Sequence, residues 1–294
     1  MIDYLRLARA CRTENELNRL HILIENRFAP AEIAAIRSAA REFRNERTRR
    51  WLKRLRGMSP TLMKRPKPFE RSRLHRNVIV YRCPHHDRDG KRALIAFPGA
   101  ARRLGMPIAV FLQCMESEWD VFLVTRPDQT RSYLDGWNED APGIHAITEV
   151  VRSVSDLDAY GGVSVIGNSS GGLPAIVAAC VIGADAGVSV SGTAGGTAEG
   201  RPSKAADVLA AITQFPRLSF AYCAGNEADA ASAAFMRRMT GTGDLLPVAA
   251  CATHNAAANL LQEGTLPTFL ADVLGKSATP PDRWQTYEPG PSQK

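Results

Sequence analysis

The sequence predicts an α/β protein, with a mainly parallel sheet covered by helices on both faces and preceded by an N-terminal helical segment. Two patterns support this fold class. Short apolar runs alternate with helix-like segments from residue 77 onward, which is typical of parallel strands joined by crossover helices. Residues 1–57 instead carry apolar residues at helical spacing.

Composition excludes several classes of protein. The 294 residues are 45% hydrophobic and 23% charged, which is inconsistent with wholesale disorder. No stretch approaches the roughly 18 uninterrupted apolar residues of a membrane span. The first apolar run is interrupted by charges and is a poor secretory signal. We therefore expect a cytoplasmic protein.

The six cysteines are scattered and form no CxxC pair. A chain of this length rarely depends on a disulfide framework. We expect all six to be reduced and most to be buried: Cys11, Cys83, Cys114, Cys180, Cys223 and Cys251.

The net charge of +7 comes from one segment. Residues 41–76 hold 14 Lys and Arg against three acids, which leaves −4 for the rest of the chain. Such a run can bind nucleic acid, an anionic membrane or an acidic partner. Because no aromatic residues are interleaved for base stacking, the pattern favours a solvated helix face followed by a basic linker. No nucleic-acid partner is expected.

The N-terminal segment, residues 1–57, has helix start and stop signals. Residues 13–16 fit a capping box, and Pro30 suits the first turn of a second helix. That helix is predicted to continue to Gly57. Residues 58–76 contain three prolines and predict a basic linker, whereas the Pro- and Gly-rich residues 276–294 predict a loose tail.

The main domain is predicted over residues 77–275. It opens with strands Asn77–Arg82 and Arg92–Phe97, and Asp89-Gly90 between them predicts a hairpin turn. Further strands are predicted at Val121–Thr125, Val163–Ile166, Val188–Val190, Leu218–Cys223 and Leu246–Ala252.

The most informative stretch is Gly167–Gly171, which reads G-x-S-x-G between a strand and a helix. This is the context of a nucleophile elbow, in which Ser169 projects above the sheet at the positive end of the helix. Both flanking glycines are small enough for the close approach that the turn requires. The alternative is a glycine-rich turn in a nucleotide-binding fold, but neither G-x-G-x-x-G nor G-x-x-x-x-G-K-[ST] is present.

With this elbow and the strands that follow it, residues 77–275 resemble the α/β-hydrolase superfamily. The resemblance implies a triad in the chain order Ser, acid, His, and no cofactor. Glu227 and Asp229 follow strand Leu218–Cys223, where the family carries its acid. Asp229 is preferred, although it could instead cap the following helix, and Glu227 is the alternative.

The last predicted strand is followed by His254, the only histidine downstream of Ser169. At that position in the family a histidine takes the proton of the serine and returns it to the leaving group. The triad implied by the resemblance is therefore Ser169, Asp229 and His254.

The resemblance also implies two backbone N–H donors for an oxyanion. One is Ser170, directly after the serine. The other comes from the loop after strand Arg92–Phe97, where we expect Ala100, with Gly99 as the alternative.

Two other clusters of polar residues stand out in the sequence. Cys83, His85, His86, Asp87 and Asp89 are metal-ligand types, but they lie where a hairpin turn is expected, so no metal is predicted. Four arginines follow strand ends on the ligand side of the sheet and could bind an acidic substrate group or be ordinary surface residues: Arg102, Arg103, Arg126 and Arg131.

The leading interpretation is a serine hydrolase that cleaves an ester or thioester, small or carrier-bound, through an acyl-enzyme. An acyltransferase with the same triad and a non-catalytic scaffold are the alternatives. Residues 192–217 are too few for a large cap. The apolar faces of residues 1–57 must therefore cover the site mouth, mediate a homodimer, or pack on the far side of the sheet.

Overall fold

The apolar runs form one twisted sheet in the computed structural model, which describes residues 4–40, 45–84, 90–99, 102–126, 132–138, 141–194, 204–275 and 284. The described strands are β1 (Glu70–His75), β2 (Val78–Arg82), β3 (Arg92–Phe97), β4 (Trp119–Val124), β5 (Gly136–Asn138), β6 (Ala141–Pro142), β7 (Val163–Asn168), β8 (Ala186–Val190), β9 (Arg217–Cys223) and β10 (Asp244–Ala249).

Eight of these strands are ordered β1-β2-β4-β3-β7-β8-β9-β10, and β5 pairs with β6 separately. Strand β2 is antiparallel to both of its neighbours, and all the other pairs in the large sheet are parallel. The predicted fold class is therefore confirmed.

The predicted hairpin between β2 and β3 is wrong, because β4 lies between them. Every residue of β3 is buried, which suits a strand with parallel neighbours and both faces covered. The hairpin at the start of the sheet is instead β1–β2. Asp89 of the predicted turn lies outside the described residues.

Strand β1 lies within residues 58–76, where the sequence predicts a linker. Its sequence ERSRLH has no apolar alternation, so local pattern does not indicate a strand. It forms the edge of the sheet, where charged side chains reach water and protect the free edge from other chains.

Four helices precede the sheet: α1 (Tyr4–Ala10), α2 (Glu14–Glu25), α3 (Pro30–Ala40) and α4 (Glu46–Met58). Thr13 caps α2, and its hydroxyl accepts from the N–H of Glu16 at 3.1 Å. The sequence predicts one helix from Pro30 to Gly57, but Asn45 starts a new one by accepting from the N–H of Thr48 at 3.2 Å.

The remaining helices are α5 (Ile108–Cys114), α6 (Gly143–Ser155), α7 (Gly172–Ile182), α8 (Lys204–Ala210), α9 (Glu227–Thr240), α10 (Ala256–Gln262) and α11 (Leu266–Leu274). Buried side chains of α6–α9 pack on one face of the sheet, and those of α5, α10 and α11 pack on the other.

The N-terminal helices join the second of these faces. Ile24, Ile33 and Leu55 are fully buried and belong to the same core cluster as Leu94 and Ile166 of the sheet. Removing these helices would therefore expose part of a sheet face that α5, α10 and α11 cover only in the remaining part.

Candidate active site

Ser169 occupies a strained turn at the carboxyl end of β7. Its φ is +51°, a left-handed conformation that costs a non-glycine residue energy and that clusters at functional sites. A Cβ at Gly167 would overlap the carbonyl of Gly171, and one at Gly171 would overlap the carbonyl of Phe97. Both glycines are therefore required for the turn that presents the serine.

The structure brings the three predicted triad side chains together. Ser169 Oγ lies 2.8 Å from Nε2 of His254, and His254 Nδ1 lies 2.5 Å from Oδ1 of Asp229. The Asp229 side chain is 3% exposed and that of His254 is 39% exposed. The arrangement places a buried carboxylate behind an imidazole that is open to solvent.

The structure does not show Asp229 as a helix cap or Glu227 beside His254. Asn226, not Asp229, caps α9, because its side chain accepts from the N–H of Asp229 at 3.0 Å. Glu227 is exposed in the first turn of α9. Asp229 Oδ2 is buried and has no hydrogen-bond partner among the described residues.

The loop that carries His254 is held by residues that the sequence analysis did not single out. Ser191, at the end of β8 with φ +44°, accepts from the N–H of Ala256 at 3.0 Å. Asn255 caps α10 and donates to the carbonyl of Gly105 at 3.2 Å. Ser191 directly follows a predicted strand, and Asn255 directly follows the predicted histidine. These positions are the sequence features that could have identified both residues.

A disulfide joins the acid-bearing and histidine-bearing ends of the sheet. Cys223 ends β9 and Cys251 follows β10, with their Cα atoms 5.5 Å apart. The expectation that all six cysteines are reduced is therefore wrong. Their separation of 28 residues hides a proximity that arises because β9 and β10 are parallel neighbours. Cys11, Cys83, Cys114 and Cys180 are free.

The oxyanion donors are described in part. Ser170 lies in the turn that leads into α7, and its hydroxyl accepts from Arg126 Nη2 at 3.3 Å. The backbone N–H of Gly99, the alternative second donor, donates to the carbonyl of Arg103 at 3.0 Å. Ala100, the preferred donor, lies outside the described residues.

Gly99 passes directly against the serine. A Cβ added there would lie 3.0 Å from both Asn168 O and Ser169 Cβ. The loop after β3 therefore borders the space above Ser169, as the sequence predicts.

The four arginines have different environments. Arg103 forms an ion pair with Glu25 of α2 and donates to Asn26 Oδ1 at 3.2 Å. Arg126 lies over the ring of Tyr133, 5.0 Å from its centroid. Arg102 has a buried Nε with no hydrogen-bond partner among the described residues. Arg131 lies outside them.

The cysteine–histidine–aspartate cluster is mostly outside the described residues as well. Cys83 is buried, while His85, His86, Asp87 and Asp89 are not described. In the part of the chain that is described, no group of three or more His, Cys, Asp and Glu side chains could hold a metal ion. None of the described helices is long and apolar enough to cross a membrane.

A scan against protein-family models finds no match for this chain, and a search of the curated proteins finds none either. Solved structures do resemble it. A putative esterase from Staphylococcus aureus is 13% identical with a TM-score of 0.49, covering 80% of this chain and 95% of that one.

Two further structures are similar to the chain. Esterase B from Lactobacillus rhamnosis is 14% identical with a TM-score of 0.47, covering 77% of this chain and 96% of that one. Brefeldin A esterase, described as a bacterial homologue of human hormone-sensitive lipase, is 14% identical with a TM-score of 0.46, covering 70% and 74%. Identities this low say nothing of the reaction or the substrate.

Three features identify the fold: the strand order, the antiparallel β2, and the strained serine between β7 and α7. In these features the chain resembles the α/β-hydrolase superfamily, with Ser169 at the elbow position.

Proposed function

We propose that this protein is a serine hydrolase that cleaves an ester or thioester through an acyl-enzyme. The supporting observation is the continuous chain from Ser169 Oγ through His254 to the buried Asp229 carboxylate. Each link is within hydrogen-bond reach, which is the geometry a base-activated serine requires.

In the proposed reaction, Ser169 Oγ attacks the carbonyl carbon of the substrate while His254 Nε2 takes the hydroxyl proton. The carbonyl oxygen becomes an oxyanion, and the N–H groups of Ser170 and Ala100 are proposed to stabilise it. The intermediate collapses to the acyl-enzyme, and the leaving alcohol or thiol receives the proton from His254.

Water then repeats the sequence in the second half-reaction. His254 takes a proton from water as the oxygen attacks the acyl carbon, and Ser169 leaves with that proton. Throughout, Asp229 accepts from Nδ1–H, fixes the tautomer of His254 and stabilises the imidazolium as it forms.

The test is covalent labelling of the protein by a fluorophosphonate, together with turnover of a panel of acyl esters and thioesters. Ser169→Ala should stay folded, fail to label and lose on the order of 10⁵–10⁶-fold in kcat, as single triad losses do. Ser153→Ala, on the exposed face of α6, is the matched control and should behave as wild type.

Ser170→Ala keeps the backbone N–H and removes only the hydroxyl, so it should remain active. If that variant alone is inactive, the nucleophile is Ser170 and the proposed assignment is wrong. A protein that neither labels nor turns over any acyl substrate would be a scaffold. Transfer of the acyl group to an added alcohol or amine in preference to water would identify an acyltransferase.

The cytoplasm remains our proposed location for this activity, although the Cys223–Cys251 disulfide removes one argument for it. Disulfides persist mainly in oxidising compartments. Alkylation of the unfolded protein, isolated without reductant under acid quench, should leave two cysteines unlabelled if the bond exists in the cell.

A further inference from the structure

A cavity of about 210 Å³ lies between α2 and the carboxyl end of β4. Helix α2 and the turn after it contribute residues at helical spacing along one stripe, and the sheet side contributes Leu123 and Thr125. Its lining residues are Arg19, Ile22, Leu23, Asn26, Arg27, Arg102, Leu123 and Thr125.

The stripe of α2 that lines the cavity is unusual because it leaves large apolar side chains exposed to solvent. Ile22 is 37% exposed and Leu23 is 43% exposed, and both line the cavity. The opposite stripe of α2, with Leu17 and Ile24, is buried in the core. The helix therefore presents one face to the core and a second apolar face to the cavity.

Three arginines line this cavity, and none of them forms an ion pair with a carboxylate among the described residues: exposed Arg19, Arg27 and Arg102. Arg54, Arg71 and Arg103, by contrast, pair with Glu25 or Glu32. Arg27 is half-buried, and Arg102 has a buried Nε without a hydrogen-bond partner among the described residues. Burial lowers the pKa of the Arg27 guanidinium, and the nearby charge of Arg102 lowers it further. Arg27 and Arg102 line the same cavity, and no carboxylate of the described residues pairs with either, which indicates a site for an anion.

The cavity lies on the same edge of the sheet as Ser169. Strand β3 separates β4 from β7, and all three run parallel, so their carboxyl ends meet at one edge. Thr125 follows β4 and Ser169 follows β7, which places them about 10 Å apart, two strand spacings of roughly 4.8 Å.

Positive charge also lies beside the turn that carries the serine. Arg126 connects Ser170 to the ring of Tyr133. The positive charges of Arg126 and Arg102 both act on Tyr133, whose pKa is nevertheless raised because the phenol is fully buried. Arg126 therefore contacts the turn that follows Ser169, and Arg102 lines the cavity.

We propose that this cavity binds a carboxylate at the far end of an apolar chain in the substrate, held by Arg27 and Arg102 with the chain against Ile22, Leu23 and Leu123. The proposal rests on the proposed hydrolase function and specifies its substrate class. The separation of about 10 Å between Ser169 and Thr125 at the cavity corresponds to roughly eight bonds of an extended substrate chain, at ~1.2 Å per bond. Esters of dicarboxylic acids of about eight carbons, or of hydroxy acids of that length, fit this description.

The test compares mono-p-nitrophenyl suberate with p-nitrophenyl octanoate, which differ by the terminal carboxylate. Wild-type protein should favour suberate in kcat/KM by at least 10-fold, because a charge-assisted hydrogen bond contributes about 10- to 100-fold. Arg27→Gln and Arg102→Gln should each reduce the suberate-to-octanoate ratio by about 10-fold, mainly through KM. Arg27→Lys should give an intermediate ratio.

Arg49→Gln, an exposed arginine on α4, is the matched control and should keep the wild-type ratio. Mono-p-nitrophenyl succinate should lose the preference because its chain is too short to reach the arginines. Comparison with 8-acetoxyoctanoate, which carries the carboxylate in its alcohol part, shows which side of the ester occupies the cavity. A suberate-to-octanoate ratio near one, or one that both arginine variants leave unchanged, overturns the proposal.

The outcome for the cavity is separable from that for the triad. If octanoate is hydrolysed and Ser169 labels but the carboxylate gives no advantage, the hydrolase function stands and the cavity assignment fails. If no ester is turned over, calorimetric titration with suberate and octanoate tests the cavity directly. Suberate should then bind at least 10-fold more tightly than octanoate to wild type, and equal binding would overturn the proposal.

Discussion

The two ends of the sheet each bury an aspartate, and they treat it differently. At the amino end, Asp120 of β4 is fully buried and accepts from Lys91 Nζ at 2.9 Å and from the Tyr160 hydroxyl at 2.8 Å. Arg82 Nε lies 3.5 Å from the same carboxylate. At the carboxyl end, one oxygen of Asp229 bonds to His254 Nδ1, and the other has no hydrogen-bond partner among the described residues.

The difference separates an interaction that supports the fold from one that supports chemistry. Asp120 is already compensated by the buried ammonium of Lys91, and burial raises the pKa of Tyr160 to about 12, so that phenol remains a donor. His254 is the one side chain that pairs with Asp229 among the described residues. In the proposed mechanism, the Asp229 carboxylate stabilises the imidazolium that forms when His254 takes a proton.

Of the substitutions considered, Asp229→Asn should have the largest effect, and that effect should be mainly on turnover. An amide can hold His254 in the wrong tautomer, so we expect kcat to fall by about 10⁴-fold. The free energy of unfolding should change by only about 1 kcal/mol. Ester hydrolysis and urea denaturation measure the two quantities. Glu227→Gln is the control; if it causes the larger loss of kcat, Glu227 is the acid.

Asp120→Asn should show the opposite pattern. It leaves the buried Lys91 ammonium without a counterion, and breaking such a pair costs about 3–5 kcal/mol. The folded fraction should keep its kcat. Asp185→Asn provides the control, because that side chain is 55% exposed beside Arg92 and should cost about 1 kcal/mol or less. Equal destabilisation by Asp120→Asn and Asp185→Asn would contradict the view that Asp120 supports the fold.

His21 is a buried histidine with no carboxylate among its hydrogen-bond partners in the described part of the chain, and it sharpens the contrast with His254. His21 bonds to the hydroxyls of Tyr4 at 3.1 Å and Thr48 at 3.3 Å, and it stacks on Trp51. Burial, aided by Arg47 and Arg54, lowers its pKa to about 4. The unfolded chain then binds the proton more readily, so this contribution to stability is present above pH 6.5 and is lost as the pH falls toward 4.

We expect that loss to be about 2 kcal/mol, at ~1.4 kcal/mol per pH unit with allowance for solvent screening. Urea denaturation at pH 5 and pH 7.5 measures it. His21→Gln should show a weaker pH dependence over this range. A slope identical to that of wild type would mean that other groups titrate there.

The smallest expected effect concerns backbone strain at the carboxyl end of the sheet. Ser191, like Ser169, has a positive φ there. Ser191→Ala loses the bond to Ala256 and keeps the strain, whereas Ser191→Gly loses the bond and relieves the strain. The glycine variant should be about 1 kcal/mol more stable than the alanine variant. Thermal denaturation compares them, and the reverse ranking would show that the backbone at 191 is unstrained.

Much of the site was predictable because its signals are local. A strand, a small-residue turn and a helix are encoded within Val163–Ile182, and Asp229 and His254 each follow an apolar strand. The β2–β3 hairpin was predicted wrongly because strand pairing depends on distant β4. Strand β1 was missed because an edge strand can be fully charged.

The disulfide and the cavity could not be predicted for a different reason. Both depend on how elements far apart in sequence meet, β9 with the loop after β10 and α2 with the end of β4. Arg102 and Arg103 are adjacent in sequence and equal in type, yet only Arg103 meets Glu25. Local pattern cannot separate two such neighbours.

Helix α2 has a consequence for how this protein can diversify. Its core stripe fixes it to the sheet, while Ile22 and Leu23 on its other stripe take no part in the core or in the triad. Substitutions there change the wall of a cavity at little cost in folding. If the cavity binds substrate as proposed, selection can alter substrate preference through substitutions in a helix that precedes the sheet, without changing Ser169, Asp229 or His254.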